Sequence, residues 1–253
     1  MSCNNSGEKE KNNNVITIKH SDTIQVTNQI DTGTNIYLTF DDGPYSTTAS
    51  LANTLIDSST KASFFIIGSQ IAHSIYYDSV FLSVKGNKLF RTYNHTYSHA
   101  VTHGKIHNYY KDPINVLNDI NRNKQYFDSN CNITRLPGTN AWRLKNSNIC
   151  VDKNSKRVIK FLDSIQSNEK IFGWDFEWTI KESQDSIRVN KFYERIANRV
   201  MENKSNQKNY VILFHDYLFR SKLTLDNLQY FISLLKNKLN CKFKWAEEYP
   251  DIK

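Results

Sequence analysis

The sequence predicts an α/β protein built on a parallel sheet, either open or closed into a barrel. Three observations predict it. Short apolar runs of strand length recur along the chain, among them "NIYLTF", "ASFFIIG", "LFRTYN" and "YVILFH". Amphipathic stretches of helix length separate them, and those connections are too long for hairpins and suit right-handed crossovers. The 253 residues, 39% hydrophobic and 13% aromatic, are enough to bury a substantial core. Eight glycines and four prolines exclude collagen-like and proline-rich disordered chains. No apolar run approaches the ~20 residues that a membrane-spanning helix needs.

Residues 1–14, "MSCNNSGEKEKNNN", are polar, charged and low in complexity and predict a disordered tail. Residues 15–253 show no linker or repeat and read as one domain. "VITIKHS" and "TIQVTNQ" predict a short N-terminal β segment. "NIYLTF" then predicts a strand, Ser46 to Ile56 a helix, "ASFFIIG" a strand, and Gln70 to about Val84 a helix. "LFRTYN" reads as a strand, and Asp112-Pro113 as the cap and first turn of a helix running through Val116, Leu117 and Ile120. "NITRLPG" is a short strand, "RVIKFLDSI" helical, "IFGWDFEW" a strand and Val189 to Met201 a helix. "YVILFH" is a strand, Leu223 to Leu239 a long helix and "CKFKWA" a last strand.

Lys and Arg outnumber Asp and Glu by 33 to 25, a net charge of +8. The basic residues are scattered, and no nucleic-acid recognition motif accompanies them, so no nucleic-acid partner is expected. Of the four cysteines, Cys3, Cys131, Cys150 and Cys241, none forms a C-x-x-C pair, which argues against a cysteine-based zinc site. Cys131 and Cys150 flank one loop region and either pair in an oxidising compartment or remain buried thiols.

The chemistry gathers at the strand ends. "YLTF" ends in Asp41-Asp42, "LFRTYN" leads into His95, "NITRLP" carries Arg135, "IFGWDFEW" carries Asp175 and Glu177, and "YVILF" ends in His215. In parallel α/β folds that carboxyl edge is where loops converge on a site. Two adjacent carboxylates repel, so their pairing suits a site where one binds a cation and the other stays free to take a proton. His95 and His99 lie four apart, a spacing that puts both imidazoles on one face of a helical turn. Alone, that spacing is commoner among surface or core histidines; beside a carboxylate at the same edge it fits a catalytic metal with open positions. His103 and His107 continue the spacing past Gly104 and are expected to be exposed.

In the order in which they occur, these motifs resemble those of the NodB-type polysaccharide deacetylases, carbohydrate esterase family 4. "TFDDGP" at Thr39 to Pro44 looks like the first family motif and "HTYSH" at His95 to His99 is similar to the second. "RLPG" at Arg135 to Gly138, "WDFEW" at Trp174 to Trp178 and "LFH" at Leu213 to His215 stand where the third, fourth and fifth fall. The resemblance runs from about residue 35 to 217 and implies a distorted (β/α) barrel. It implies a metal-dependent hydrolase that removes N- or O-acetyl groups from poly- or oligosaccharides.

Carried over by position, it implies Asp41 as general base and Asp42, His95 and His99 as ligands of Zn2+ or another divalent ion such as Co2+, Ni2+ or Mn2+. Arg135 would orient Asp41, and His215 would protonate the leaving amine, held charged by Asp175 or Glu177. The backbone N–H after Pro137, that of Gly138, would help stabilise the oxyanion, with Trp178 on the substrate side. The sequence departs from the family at Gly138, where an aromatic is usual, and in the compressed spacing of the fourth motif. Two other readings stay open: hydrolysis of a different C–N bond on the same fold, or a carbohydrate-binding module without turnover. Ser2-Cys3 also resembles the start of a mature bacterial lipoprotein, implying a lipid anchor at Cys3 and a cell-envelope or secreted location, although no signal peptide precedes it in this chain; chance is the alternative.

Overall fold

β1 (Asn35–Asp41) is the central strand, and its alternation explains the two apolar layers of the protein. Ile36, Leu38 and Phe40 point to one side and Tyr37 to the other, as the period of two requires. The computed structural model describes residues 33–100, 106–145, 148–150, 152–202 and 207–250. The expected tail and N-terminal β segment, Cys3 and His103 lie outside these residues.

After β1 come α1 (Thr48–Asp57), β2 (Ala62–Ile66), α2 (Gly68–Ile71), α3 (Ile75–Gly86) and β3 (Phe90–Asn94). α4 (Ile106–Tyr109), α5 (Pro113–Asn123), β4 (Ile133–Thr134), β5 (Ala141–Arg143), β6 (Asn148–Cys150) and α6 (Lys153–Ser164) follow. β7 (Lys170–Ile171), β8 (Phe176–Glu177), α7 (Ser186–Glu202), β9 (Asn209–His215), α8 (Lys222–Leu239) and β10 (Lys242–Phe243) complete the described chain. The sheet order is β6-β5-β7-β4-β3-β2-β1-β9-β8, with β10 alongside the start of β1. The long strands pair in parallel, and β5 and β6 add an antiparallel hairpin that periodicity does not reveal in segments of three residues.

Between sheet and helices lies a cluster in which Phe40, Phe64 and Phe214 meet Leu51, Phe192 and Phe231. Inside the curl lies a second, including Tyr37, Phe65, Tyr93, Trp142, Phe172 and Val211. The sheet is thus a distorted barrel, as the motifs imply.

Two expected elements are divided. The helix from Gln70 breaks at residues 72–74, where the Ser74 side chain accepts from the Tyr77 N–H at 3.1 Å and caps a new helix. "IFGWDFEW" is not one strand. Its first part, β7, pairs with β4, and its last, β8, pairs with β9 at the opposite end of the sheet order. The intervening residues therefore bridge the seam of the barrel. The Phe172 N–H donates to Thr134 on one side, and the Asp175 N–H to Val211 on the other. Gly173 is needed at this crossing, because a Cβ would overlap the Asn140 and Trp142 side chains. Cys131 and Cys241 are free thiols, and burial pushes Cys131 up to about 11.

Candidate active site

Asp41 ends β1 directly opposite His215 of β9, so the two Cα atoms are strand neighbours about 4.8 Å apart. Asp42 would ordinarily point to the other face of the sheet. Its φ of 75° instead turns the backbone left-handed, a conformation that Asp tolerates better than most residues, and the carboxylate swings towards β3. There Asp42 Oδ1 lies 3.3 Å from His95 Nε2 and 3.1 Å from His99 Nε2.

The two histidines do not share a helical turn. Residues 95–100 form a loop in which Thr96, His99 and Ala100 all have positive φ, at 65°, 51° and 62°. Each costs about 1–2 kcal/mol and persists only where its surroundings over-determine it. The spacing brings the imidazoles together by a different local geometry from the one it suggests.

Arg135 follows β4 and is fully buried inside the barrel. Its Nη1 donates to Asp41 Oδ1 and to Thr39 Oγ1, both at 2.8 Å; its Nε donates to the Phe172 carbonyl and its Nη2 to the Gly173 carbonyl, at 3.0 and 2.8 Å. The guanidinium lies 4.3 Å from the centre of the Phe65 ring. The Arg135 carbonyl accepts from His95 Nδ1 at 2.9 Å, which fixes the proton on that nitrogen and leaves Nε2 facing Asp41 and Asp42.

Residues 28–143 match the family described as polysaccharide deacetylase. This stretch is similar to the polysaccharide deacetylases. Its fold is shared with the catalytic domain of a peptidoglycan N-acetylglucosamine deacetylase from Eubacterium rectale, at 17% identity over 85% of this chain and 90% of that one, with a TM-score of 0.57. It is also shared with a polysaccharide deacetylase from Bacillus cereus, at 22% identity, 85% and 93% coverage and a TM-score of 0.53. The Xyl-CE4 domain of a multidomain xylanase from the hindgut metagenome of Trinervitermes trinervoides aligns at 21% identity, 87% and 94% coverage and a TM-score of 0.55. No curated protein matches the sequence.

The site has donors that fit a divalent metal. One atom each from Asp42, His95 and His99 lie within 4.8 Å of one another. Asp42 Oδ1 is buried and accepts no hydrogen bond, although both Nε2 atoms are close. Tetrahedral zinc with arms of about 2.0–2.1 Å separates its ligands by roughly 3.3–3.4 Å, close to the two imidazole distances here. Burial opposes ionisation of Asp42, but the two imidazoles override it and hold its carboxyl well below the usual carboxylate range. Burial likewise opposes a charge on His95, and the Asp41 and Asp42 carboxylates outweigh it. The site thus favours positive charge between these side chains.

The remaining expected residues divide. Asp175 lies in register with Val211, four residues and about 13 Å below His215. It accepts from the Gln207 side chain and the Val211 N–H and borders a cleft with Arg195 and Arg199 of α7, so it does not support His215. Glu177, two residues higher, is exposed; burial, then Asp42 and then Glu177 raise the Tyr217 phenol. The Tyr217 ring is centred 5.4 Å from that of His215. Trp178 is not on the substrate side: it shares the strand parity of Phe176, faces α7 and α8, and packs fully buried against Phe192, Phe214 and Phe231.

The Pro137 carbonyl accepts from the Tyr110 hydroxyl at 2.5 Å. Gly138 beside it has a φ of +60°, and a Cβ there would overlap Ile106 Cδ1. The departure from an aromatic therefore has a local cause, since α4 fills the space with Ile106. His107 is exposed, as expected.

Asp216 escaped sequence reasoning. It is fully buried, takes a 2.5 Å hydrogen bond from Thr48 Oγ1, and leaves Oδ1 without a partner. Burial, with Asp42 and Asp41 nearby, raises its carboxyl to about 8. Its one sequence signal is its place directly after His215. A cleft of about 680 Å³ opens beside His99, lined by Tyr45, Gln70, His73, Tyr97, Asn118 and Arg122 among others.

Proposed function

We propose that the chain is a zinc-dependent deacetylase that removes N-acetyl, or O-acetyl, groups from a glycan of the bacterial cell envelope or its surroundings. The observation that carries this reading is Asp41, held by Arg135 at 2.8 Å and lying 3.7 Å from His95 Nε2, directly beside the Asp42, His95 and His99 donors. Those three residues would hold the ion, with cobalt, nickel or manganese as alternatives to zinc. When bound, a divalent ion polarises the acetyl carbonyl and makes water more acidic. Asp41, oriented by Arg135, takes the proton of the attacking water as a carbon–oxygen bond forms at the acetyl carbon.

His215, a strand neighbour of Asp41, gives a proton to the amine nitrogen as the C–N bond breaks, leaving acetate and a free amine. Glu177, two residues below His215 in register, would be the fourth-motif carboxylate that supports it. The Gly138 N–H would face the carbonyl oxygen. The polar cleft beside His99, with its amide, hydroxyl and aromatic side chains, suits a sugar. The fold shared with a peptidoglycan deacetylase supports the envelope as the setting. The wall made by Gly138 and Ile106 also suits a different acyl or C–N substrate, and this is the second reading.

Acetate release tests the proposal. The zinc-loaded protein is incubated with chitooligosaccharides, peptidoglycan, poly-N-acetylglucosamine and O-acetylated xylan. Release by the wild type, lost in Asp41→Asn and on chelation, is the expected result. Release unaffected by Asp41→Asn would overturn the assigned base, and silence across the panel with zinc bound would favour the second reading. Equal glycan binding by wild type and Asp41→Asn without turnover would mark a binding module.

A further inference from the structure

His95 is fixed through its ring, by the hydrogen bond from Nδ1 to the Arg135 carbonyl. The backbone that carries His99 is held within the loop by Thr96 Oγ1, which accepts from the His99 N–H, by α2, whose Gly68 and Ser69 N–H groups donate to the Thr96 and Tyr97 carbonyls, and by one residue of α5. Asp119 accepts from the Ser98 N–H at 3.1 Å through Oδ1 and 3.2 Å through Oδ2. Its Oδ2 also accepts from Ser98 Oγ at 2.9 Å and from the Tyr109 hydroxyl at 3.1 Å. Its carbonyl accepts from the Tyr97 N–H at 3.2 Å. The two peptide N–H groups immediately before His99 thus both end on Asp119.

This anchoring falls where the backbone most needs it. Thr96, His99 and Ala100 are left-handed, and His99 meets Asp42 only while they remain so. On α5, Val116, Ile120 and Asn123 are buried, and Asp119 lies on the same helical face. A carboxylate there brings acceptor oxygens to donors that an apolar residue would leave unpaired.

We propose that Asp119 is a positioning residue for the candidate metal site, setting its affinity for a divalent ion by fixing the backbone of His99. The inference rests on the reading of Asp42, His95 and His99 as metal ligands. Asp119 touches neither metal nor substrate; it acts through the loop. Its loss should therefore weaken metal binding far more than it destabilises the metal-free protein.

The test measures the zinc dissociation constant by chelator competition and the melting temperature of the metal-free protein for the wild type, Asp119→Ala, Tyr109→Phe and Asp112→Ala. Asp119→Ala should weaken zinc about 10–100-fold, as loss of a group supporting a ligand does. Tyr109→Phe removes one donor to the carboxylate and should weaken zinc in the same direction by less. Asp112 caps α5 through the Ile114 N–H, about two helical turns before Asp119, so Asp112→Ala should lower the melting temperature and leave zinc affinity as it was.

Wild-type affinity in folded Asp119→Ala would overturn the proposal, as would equal weakening in Asp112→Ala. Should Asp119→Ala not fold, unchanged zinc affinity in Tyr109→Phe overturns it and weakened affinity supports it. A wild type that binds no divalent ion would overturn the metal reading and this inference together, an outcome distinct from the others.

Discussion

The two sides of the candidate site are built differently. On the side of β1, β3 and β4, Asp41, His95 and Arg135 are almost wholly buried, and four hydrogen bonds from one guanidinium tie Asp41, Thr39 and the seam together. On the side of β8 and β9, His215 is half-buried, Glu177 is exposed, and the neighbouring Tyr217 ring is 38% exposed. The first side is tied together by the protein's own hydrogen bonds. The second stays open to solvent where, on the proposed reading, a substrate enters and a leaving group departs. Preorganisation belongs where charge is held, and access where a molecule is exchanged.

The comparison breaks first, if it breaks at all, at Arg135. Arg135→Leu strands the Asp41 carboxylate in the interior and should cost about 3–5 kcal/mol of stability, as loss of one partner of a buried ion pair does. Urea unfolding measures it; a change confined to activity would show that the closed side is not closed. His215→Ala should do the opposite, lowering kcat by about 10²–10⁴-fold, the usual contribution of an acid–base group. Its stability should stay near that of the wild type, and a large loss in the same urea titration would place His215 with the buried side.

Asp216 sharpens the comparison, because it follows His215 in sequence but belongs by burial to the closed side. Its carboxyl is raised from 3.8 to about 8 in the folded protein. Between these values the unfolded chain has released the proton that the native protein still holds, so stability should fall as pH rises from about 4 to about 8 and level off beyond. The effect should be on the order of a few kcal/mol in chelator-treated protein. Asp216→Asn, which has no such proton, should lose this part of the slope; identical pH profiles for the two proteins would refute the assignment. The smallest effect is expected at Glu177. Glu177→Gln should lower kcat by about twofold to fivefold, within the range of one surface charge contact. Asp175→Asn should leave kcat unchanged, and the reverse ranking would return Asp175 to the site.

What was legible in the sequence follows the range of the forces involved. Strands buried on both faces, such as "NIYLTF" and "YVILFH", announce themselves by composition, and the ionisable residues at their ends mark the site edge. Asp41, Asp42, His95, His99 and Arg135 converge as that edge predicts. Segments whose conformation depends on distant neighbours were not legible. "IFGWDFEW" looks like one strand because its residues favour extension, yet Gly173 and the barrel seam divide it. The loop around His99 is held by Asp119, twenty positions later, and nothing in "HTYSH" indicates left-handed backbone. Asp119 left only a faint signal, a charge on the helical face that carries Val116 and Ile120.

The bonds from Arg135 to the carbonyls of Phe172 and Gly173 have a consequence for how variation in this protein should be read. The same side chain that orients Asp41 also clasps the segment that closes the barrel. Selection for nothing more than soluble expression would retain Arg135 as strictly as selection for turnover, whereas His215 would drift freely under the first and be kept only by the second. Between a library sorted for folding and one sorted for acetate release, a change in the persistence of His215, and not of Arg135, would report on the proposed chemistry.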